Sequence, residues 1–146
     1  MDIHYKLFKH QKELLTCKDD MVYLRAGRGS GKSFIASLIA VIALLKGQRV
    51  LIMAQDYRAL TEVIMAECTQ RLYEILKPGE FEVHKVSMKI TYGATGVIYF
   101  SSYSNMDSVR GFSKIQLSIL DEVCLEPPNL YEVLAYCKRN LDKPTR

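Results

Sequence analysis

The sequence predicts an α/β fold: a mainly parallel sheet flanked by helices in three layers. Three observations carry that expectation. Two apolar runs, "RVLIMA" at 49–54 and "IQLSIL" at 115–120, lack the polar alternation of a half-wet strand and suit strands covered on both faces. Helical patterns separate the strand-like runs, as a parallel sheet requires. A glycine-rich turn, "RAGRGSGKSF" from Arg25 to Phe34, joins a short strand-like run to a long apolar helix. Right-handed crossovers then follow from strand twist.

The elements read in order as follows. "YKLFKHQKELL" spaces Tyr5, Leu7, Phe8, Gln11, Leu14 and Leu15 as an amphipathic helix ending near Cys17. "MVYLR" (Met21 to Arg25) is a short strand, and the glycine-rich loop follows at once. A helix then extends from Lys32 to about Lys46, with Gly47 as its C-terminal cap. After "RVLIMA", Asp56 can cap a helix that runs to about Leu76 and is stopped by "KPGE". "FEVHKV", "KITY" and "GVIYFSSY" are three short strands, the last two joined by a turn at Gly93 to Gly96. "IQLSIL" ends in Asp121 and Glu122, "EPP" breaks the chain, and Asn129 begins a helix to about Asn140.

Composition narrows the class. With 146 residues, 49% apolar and 25% charged, the chain can bury a real core and is not disordered. The net charge of +4 is compatible with a polyanionic partner and equally with a solvated surface. Cys17, Cys68, Cys124 and Cys137 form no C-x-x-C pair, and His4, His10 and His84 are isolated, so a cysteine–histidine metal site is not expected. The cysteines read as reduced thiols in a cytoplasmic protein. "FIASLIAVIALL" is too short to span a bilayer, and a buried helix is expected there.

The chemistry starts in the loop. Gly27, Gly29 and Gly31 alternate with Arg28 and Ser30, so the backbone can approach a ligand closely. Successive N–H groups can ring a phosphate at the amino end of the helix that opens near Lys32. Lys32 would supply charge to the β- and γ-phosphates of ATP, and the Ser33 hydroxyl would bind Mg²⁺. Ala26 stands where the G-x-x-x-x-G-K-[ST] pattern has its first glycine; it adds one methyl, and Gly27 beside it can provide the turn. The bland alternative is an ordinary glycine-rich turn, and the strand before and helix after it argue against that.

"LSILDE" is the second element. A strand ending in Asp121 and Glu122 delivers two carboxylates to the carboxyl edge of the sheet, where open α/β folds bind ligands. Asp121 suits the Mg²⁺ shell, and Glu122 suits the base that orients and deprotonates water for attack on the γ-phosphate. Alone, such a strand end is usually just solvated; paired with the loop it points to a nucleotide site. Arg28 could reach the γ-phosphate as an arginine-finger-like group or remain an exposed charge. Arg25 could pair with the strand-end carboxylates, and Arg110 in "SVRGFS" could contact phosphate or DNA or cap a turn with Gly111. The Gln11 amide can bind the adenine edge bidentately while Tyr5 or Phe8 covers the ring; the alternative is a helix-surface glutamine beside core aromatics.

Together "LFKHQKELL", "RAGRGSGKS", "SVRGF" and "LSILDEV" resemble the ATPase domain of the large terminase subunit of tailed double-stranded DNA bacteriophages. The resemblance spans Gln11 to Glu122, and the arginine within G-R-G-S-G-K-S is its closest feature. It implies a three-layer P-loop NTPase fold (RecA-like) and a motor that uses Mg-ATP hydrolysis to move double-stranded DNA into a capsid. It also implies a ring of copies at the portal protein, a small terminase subunit as partner, and action in the host cytoplasm with no membrane. On this resemblance Gln11 matches the adenine contact, and Gly27, Gly29, Ser30, Gly31, Lys32 and Ser33 the phosphate and Mg²⁺ site. Arg28 matches the loop arginine, and Asp121 and Glu122 the acidic pair.

Two features of the family are missing: a coupling motif with further strands, and a nuclease domain with its metal-binding acids. Residues 1–146 are therefore expected to be the N-terminal part of a P-loop ATPase domain, with a sheet incomplete at the C-terminus and no nuclease domain. ATP binding is expected to outlast robust hydrolysis. Two other readings stay open on the residues alone: a helicase-like or other DNA-remodelling ATPase, and a non-catalytic nucleotide-binding assembly module.

Overall fold

The first described helix, α1, spans Lys32–Leu45 in a computed structural model that describes Lys9, residues 32–103, Phe112 and residues 114–120. The first helix expected from sequence (apart from Lys9), the strand Met21–Arg25 and the helix from Asn129 lie outside the described residues. Leu, Ile and Ala dominate α1, with no Gly or Pro to interrupt it. Its buried side carries Ile35, Leu38, Val41 and Leu44, and the buried Ser37 hydroxyl is satisfied by donating to the Phe34 carbonyl at 2.7 Å. The expected cap is present. Gly47 takes φ 80°, its N–H donates to the Leu44 carbonyl (2.9 Å), and the Gln48 N–H donates to that of Ala43 (3.0 Å). These paired bonds form a Schellman ending, which only a residue comfortable at positive φ permits.

β1 (Arg49–Ala54) follows, and all of it after Arg49 is buried. Asp56 sits just before the next helical stretch, and its carbonyl accepts the Leu60 N–H at 3.3 Å. That stretch differs from the single regular helix the sequence predicts. A turn of α-helix, α2 (Tyr57–Ala59), passes into a π-helical segment (Leu60–Met65) and then into α3 (Ala66–Ile75). The Thr61 hydroxyl donates to the carbonyls of Tyr57 (3.0 Å) and Arg58 (3.4 Å), competing with the main chain for the acceptors of the regular ladder where it widens. α3 closes where Leu76 turns extended, and Pro78 and Gly79 (φ 94°) carry the stop expected there.

β2 (Phe81–His84), β3 (Lys89–Tyr92), β4 (Gly96–Ser102) and β5 (Leu117–Leu120) complete a five-stranded sheet of order β2-β3-β4-β1-β5. β1 pairs in parallel with β4 and β5, whereas β3 is antiparallel to both β2 and β4. Only β3 therefore runs against the other four strands, which is the mainly parallel sheet expected. The last strand is shorter at its start than the predicted run from Ile115.

The pleat divides the core. Val50, Ile52 and Ala54 of β1 point to one face, where they pack with Ile98 and Phe100 of β4 against Val41 and Leu44 of α1 and Leu60, Ile64, Cys68 and Leu72 of the π–α3 stretch. Leu51 and Met53 point the other way, into a cluster with Tyr103 and Ile115 that Tyr99, Phe112 and Leu120 flank. No described helix is long and apolar enough to cross a membrane.

Candidate functional site

Because β4, β1 and β5 are parallel, Ser102, Ala54 and Leu120 all end at one edge of the sheet. α1 ends at the opposite edge. Gly96, which opens β4, lies so close beneath it that a Cβ would stand 2.6 Å from the Leu44 carbonyl oxygen. Thr95 ties the same corner by donating to the Gly47 carbonyl at 2.9 Å. The 14-residue α1 is about 21 Å long, close to the roughly 20 Å of β1, and packs over β1 and β4. Its first residues, Lys32 and Ser33, accordingly open toward the carboxyl edge of the sheet, where open α/β folds bind ligands.

The amino end of α1 suits an anion. Its first turn holds no acidic side chain to offset the partial positive charge that a helix carries at its amino end. Ser33 is half-buried there, a hydroxyl on the first turn. On the strand side, Leu120 is registered with Met53, one residue short of the end of β1, and the chain continues directly into Asp121 and Glu122. Of the predicted site residues, the structure thus places Lys32 and Ser33 at the carboxyl edge and brings the residue before the acidic pair to the same edge. Gln11, Gly27, Arg28, Gly29, Ser30, Gly31, Asp121 and Glu122 lie outside the described residues, as do Arg25 and Arg110.

Away from that edge, two titratable groups have plain structural roles. His84 Nε2 lies 3.2 Å from Glu82 and 3.3 Å from Thr91 Oγ1, a strand-surface cluster. Cys68 is a free thiol in the core, and burial, with the Glu67 carboxylate beside it, pushes its pKa up to about 12 against the opposing pull of Arg71. It remains a protonated, inert thiol at neutral pH.

One group of residues escaped the sequence reading. At the amino end of the parallel ladder, Arg49 and Gln116 exchange two hydrogen bonds: the Gln116 N–H donates to the Arg49 carbonyl (2.9 Å), and the Arg49 N–H donates to Gln116 Oε1 (3.1 Å). The Arg49 guanidinium donates to the Tyr99 hydroxyl at 3.0 Å and sits 5.3 Å from its ring centroid. Tyr99 in turn stacks on Phe112 with centroids 4.3 Å apart and planes 19° from parallel. The one signal in the sequence was a polar residue at the mouth of each apolar run, Arg49 before "VLIMA" and Gln116 before "LSIL".

Comparison with known proteins agrees with this architecture. The family described as terminase large subunit, T4-like-virus type, N-terminal, matches residues 23–135, well over half of the chain. Among solved structures, the large terminase ATPase domain of Thermus phage P74-26 superposes with a TM-score of 0.78 at 23% identity, over 90% of this chain and 60% of that one. The large terminase of a thermophilic bacteriophage, in its second crystal form, gives 0.76 at 18% identity, over 94% of this chain and 37% of that one. The Phi-28 gp11 DNA packaging motor gives 0.57 at 16% identity, over 90% and 46%. At such identities the likeness establishes the fold, and the chain spans less than two thirds of each of these structures. Comparison with curated protein sequences gives no match.

Proposed function

Because this chain belongs to the family of terminase large subunits of the T4-like-virus type, N-terminal part, we propose that it binds and hydrolyses Mg-ATP as part of a motor that drives double-stranded DNA into a viral capsid. The observation that carries the reading is the meeting of two ends within the matched span. The amino end of α1, free of acidic side chains in its first turn, opens to the same sheet edge at which β5 hands over to Asp121 and Glu122.

In this reading Gly27 to Gly31 wrap the phosphates with main-chain N–H groups, and Lys32 neutralises the β- and γ-phosphates. Ser33 and Asp121 hold Mg²⁺, which when bound screens the phosphate charge. Glu122 accepts the proton of the attacking water, Arg28 stabilises charge on the γ-phosphate, and Gln11 reads the adenine edge. The neighbour described as a DNA packaging motor favours DNA as the polymer moved. The resemblance to large terminase subunits adds the portal protein, the small terminase subunit and further copies of this chain in a ring as the partners of this reading.

Two measurements test this. Calorimetric titration with ATP and Mg²⁺ should show binding that Lys32→Ala reduces by about a hundredfold, as loss of a charge-assisted phosphate contact implies. Unchanged affinity in that variant would remove the phosphate loop. Movement along duplex DNA without strand separation is expected, and unwinding would replace the packaging reading with a helicase-like one.

A further inference from the structure

We propose that Gln116 is a positioning residue for the acidic pair: locked to the main chain of Arg49, it fixes the register in which β5 delivers Asp121 and Glu122. The proposal rests on the ATPase reading for its consequence in turnover, while the lock is a property of the fold.

Register in a parallel ladder is specified strongly where a strand's face is fully buried, and weakly where it is not. β5 is the weaker case, since Leu117 and Ile119 pack only partly buried against the cluster under α1, and Leu120 against the other. It has four residues, none fully buried, and it stands at the end of the described strand order with β1 as its described neighbour. Main-chain ladder bonds are much the same in any register and do not choose among them. A slip of one residue would move the strand by about 3.3 Å and turn every side chain to the opposite face. The chain that leads on to Asp121 and Glu122 would then leave the sheet one residue out of step.

The Arg49–Gln116 pair discriminates against such a slip. Arg49 donates its N–H to a side-chain oxygen, Gln116 Oε1 (3.1 Å), while its carbonyl accepts from the Gln116 main chain (2.9 Å). In either neighbouring register Ile115 or Leu117 would face Arg49, and neither side chain has an acceptor to offer. Arg49 is itself held by Tyr99, at 3.0 Å to the hydroxyl, and Tyr99 is stacked on Phe112. Ile115, directly before Gln116, is fully buried in the cluster with Leu51 and Met53. The chain entering β5 is therefore anchored at Phe112, Ile115 and Gln116, and Gln116 is the one anchor that reads register by hydrogen bonding.

The test compares Gln116→Leu, which removes the acceptor, with Gln116→Glu, which keeps an oxygen for the Arg49 N–H. In the full chain, Gln116→Leu should speed amide exchange at Leu117–Leu120 while leaving the β1–β4 ladder unchanged. It should lower kcat for ATP by about tenfold or more with KM within about twofold, as a misplaced catalytic group implies. Gln116→Glu should keep both near wild type. The lock is overturned if exchange in β5 is unaffected by Gln116→Leu, if both variants lose activity alike, or if KM rises with kcat unchanged. A wild-type chain without ATPase activity would sink the functional reading, and the exchange comparison would then decide the lock alone. Should Gln116→Leu fail to fold, Tyr99→Phe loosens Arg49 instead. It should shift β5 exchange in the same direction, and no shift there would overturn the lock.

Discussion

β1 and β5 are neighbours in one parallel ladder, yet their surroundings are opposite. β1 lies between β4 and β5 with Val50 to Ala54 buried, packing one face on α1 and α3 and the other on Tyr103 and Ile115. β5 is half-buried along its whole length. The difference separates two duties that a single strand would combine poorly. β1 holds the sheet together and carries no proposed chemistry. β5 carries the run into Asp121 and Glu122 and borrows its order from the residues that enter it. A site residue on a strongly packed strand would be rigid at no extra cost; on β5, among the described residues, Gln116, Ile115 and Phe112 add to the partial packing of Leu117, Ile119 and Leu120.

The largest expected effect breaks the comparison on the β1 side. Ile52 is fully buried in the cluster beneath α1, so Ile52→Ala should cost about 4 kcal/mol, losing transfer energy and leaving a cavity. Ile119, registered opposite it on β5 and only partly buried, should cost about 1–2 kcal/mol on the same change. Denaturant titration of the two variants checks this. Equal losses would mean that β5 is as much a core strand as β1.

Next comes a change that should do the reverse. Glu122→Gln removes the proposed base while keeping shape, so Mg²⁺-dependent ATP turnover should fall by about a hundredfold or more. The unfolding midpoint should stay within a degree or so of wild type, since glutamine keeps the size and shape of glutamate. Steady-state turnover beside a thermal melt reads both. Retained turnover would make the acidic pair an ordinary strand end and favour the non-catalytic module.

How much of this was legible in the sequence follows the same division. β1 and α1 were readable because continuous apolar runs and a glycine cap are local signals: "RVLIMA" is the strand, and Gly47 closes the helix through bonds to Leu44 and Ala43. The start of α1 at Lys32 was readable because the glycine-rich run stops where the apolar helical pattern begins. The π-helical segment was not, since the apolar periodicity of Leu60, Ile64 and Met65 is that of an ordinary helix and does not report a widened backbone ladder. Nor was the Arg49–Gln116 lock, which joins residues 67 apart in sequence and is marked locally by no more than a polar residue before each apolar run. Non-local hydrogen bonds are the part of a fold that a linear reading lacks.

Gly96→Ala probes the packing of α1 on the β1 side of the sheet and should cost about 1–3 kcal/mol. The new methyl would stand 2.6 Å from the Leu44 carbonyl oxygen and 2.7 Å from that of Tyr92, both main-chain atoms that cannot swing aside. The cost falls on the seating of α1 on β4, at the edge opposite the proposed nucleotide site. Stability should drop with the ATP affinity of the folded fraction unchanged, as calorimetry below the melting transition would read. A matching loss of affinity would mean that the seating of α1 controls its amino end.

The smallest effect concerns Cys68, which packs in the same cluster as the inner face of β1. Burial raises its pKa from 9.0 to about 12, so the folded thiol stays protonated in a range where the unfolded one ionises. The unfolded state then binds fewer protons than the folded state, and stability must fall as pH rises between about 9 and 12. The contribution is fully present below pH 9 and amounts to about 1 kcal/mol lost by pH 10. Cys68→Ala should flatten that part of the pH–stability curve while costing a little packing at neutral pH. In the native protein Cys68 should resist alkylation at pH 8 until denaturant opens the cluster. Labelling at the rate of a free thiol, without loss of fold, would show that the side of the sheet under α1 opens as readily as β5, and the contrast between the two strands would then be one of average burial and not of local stability.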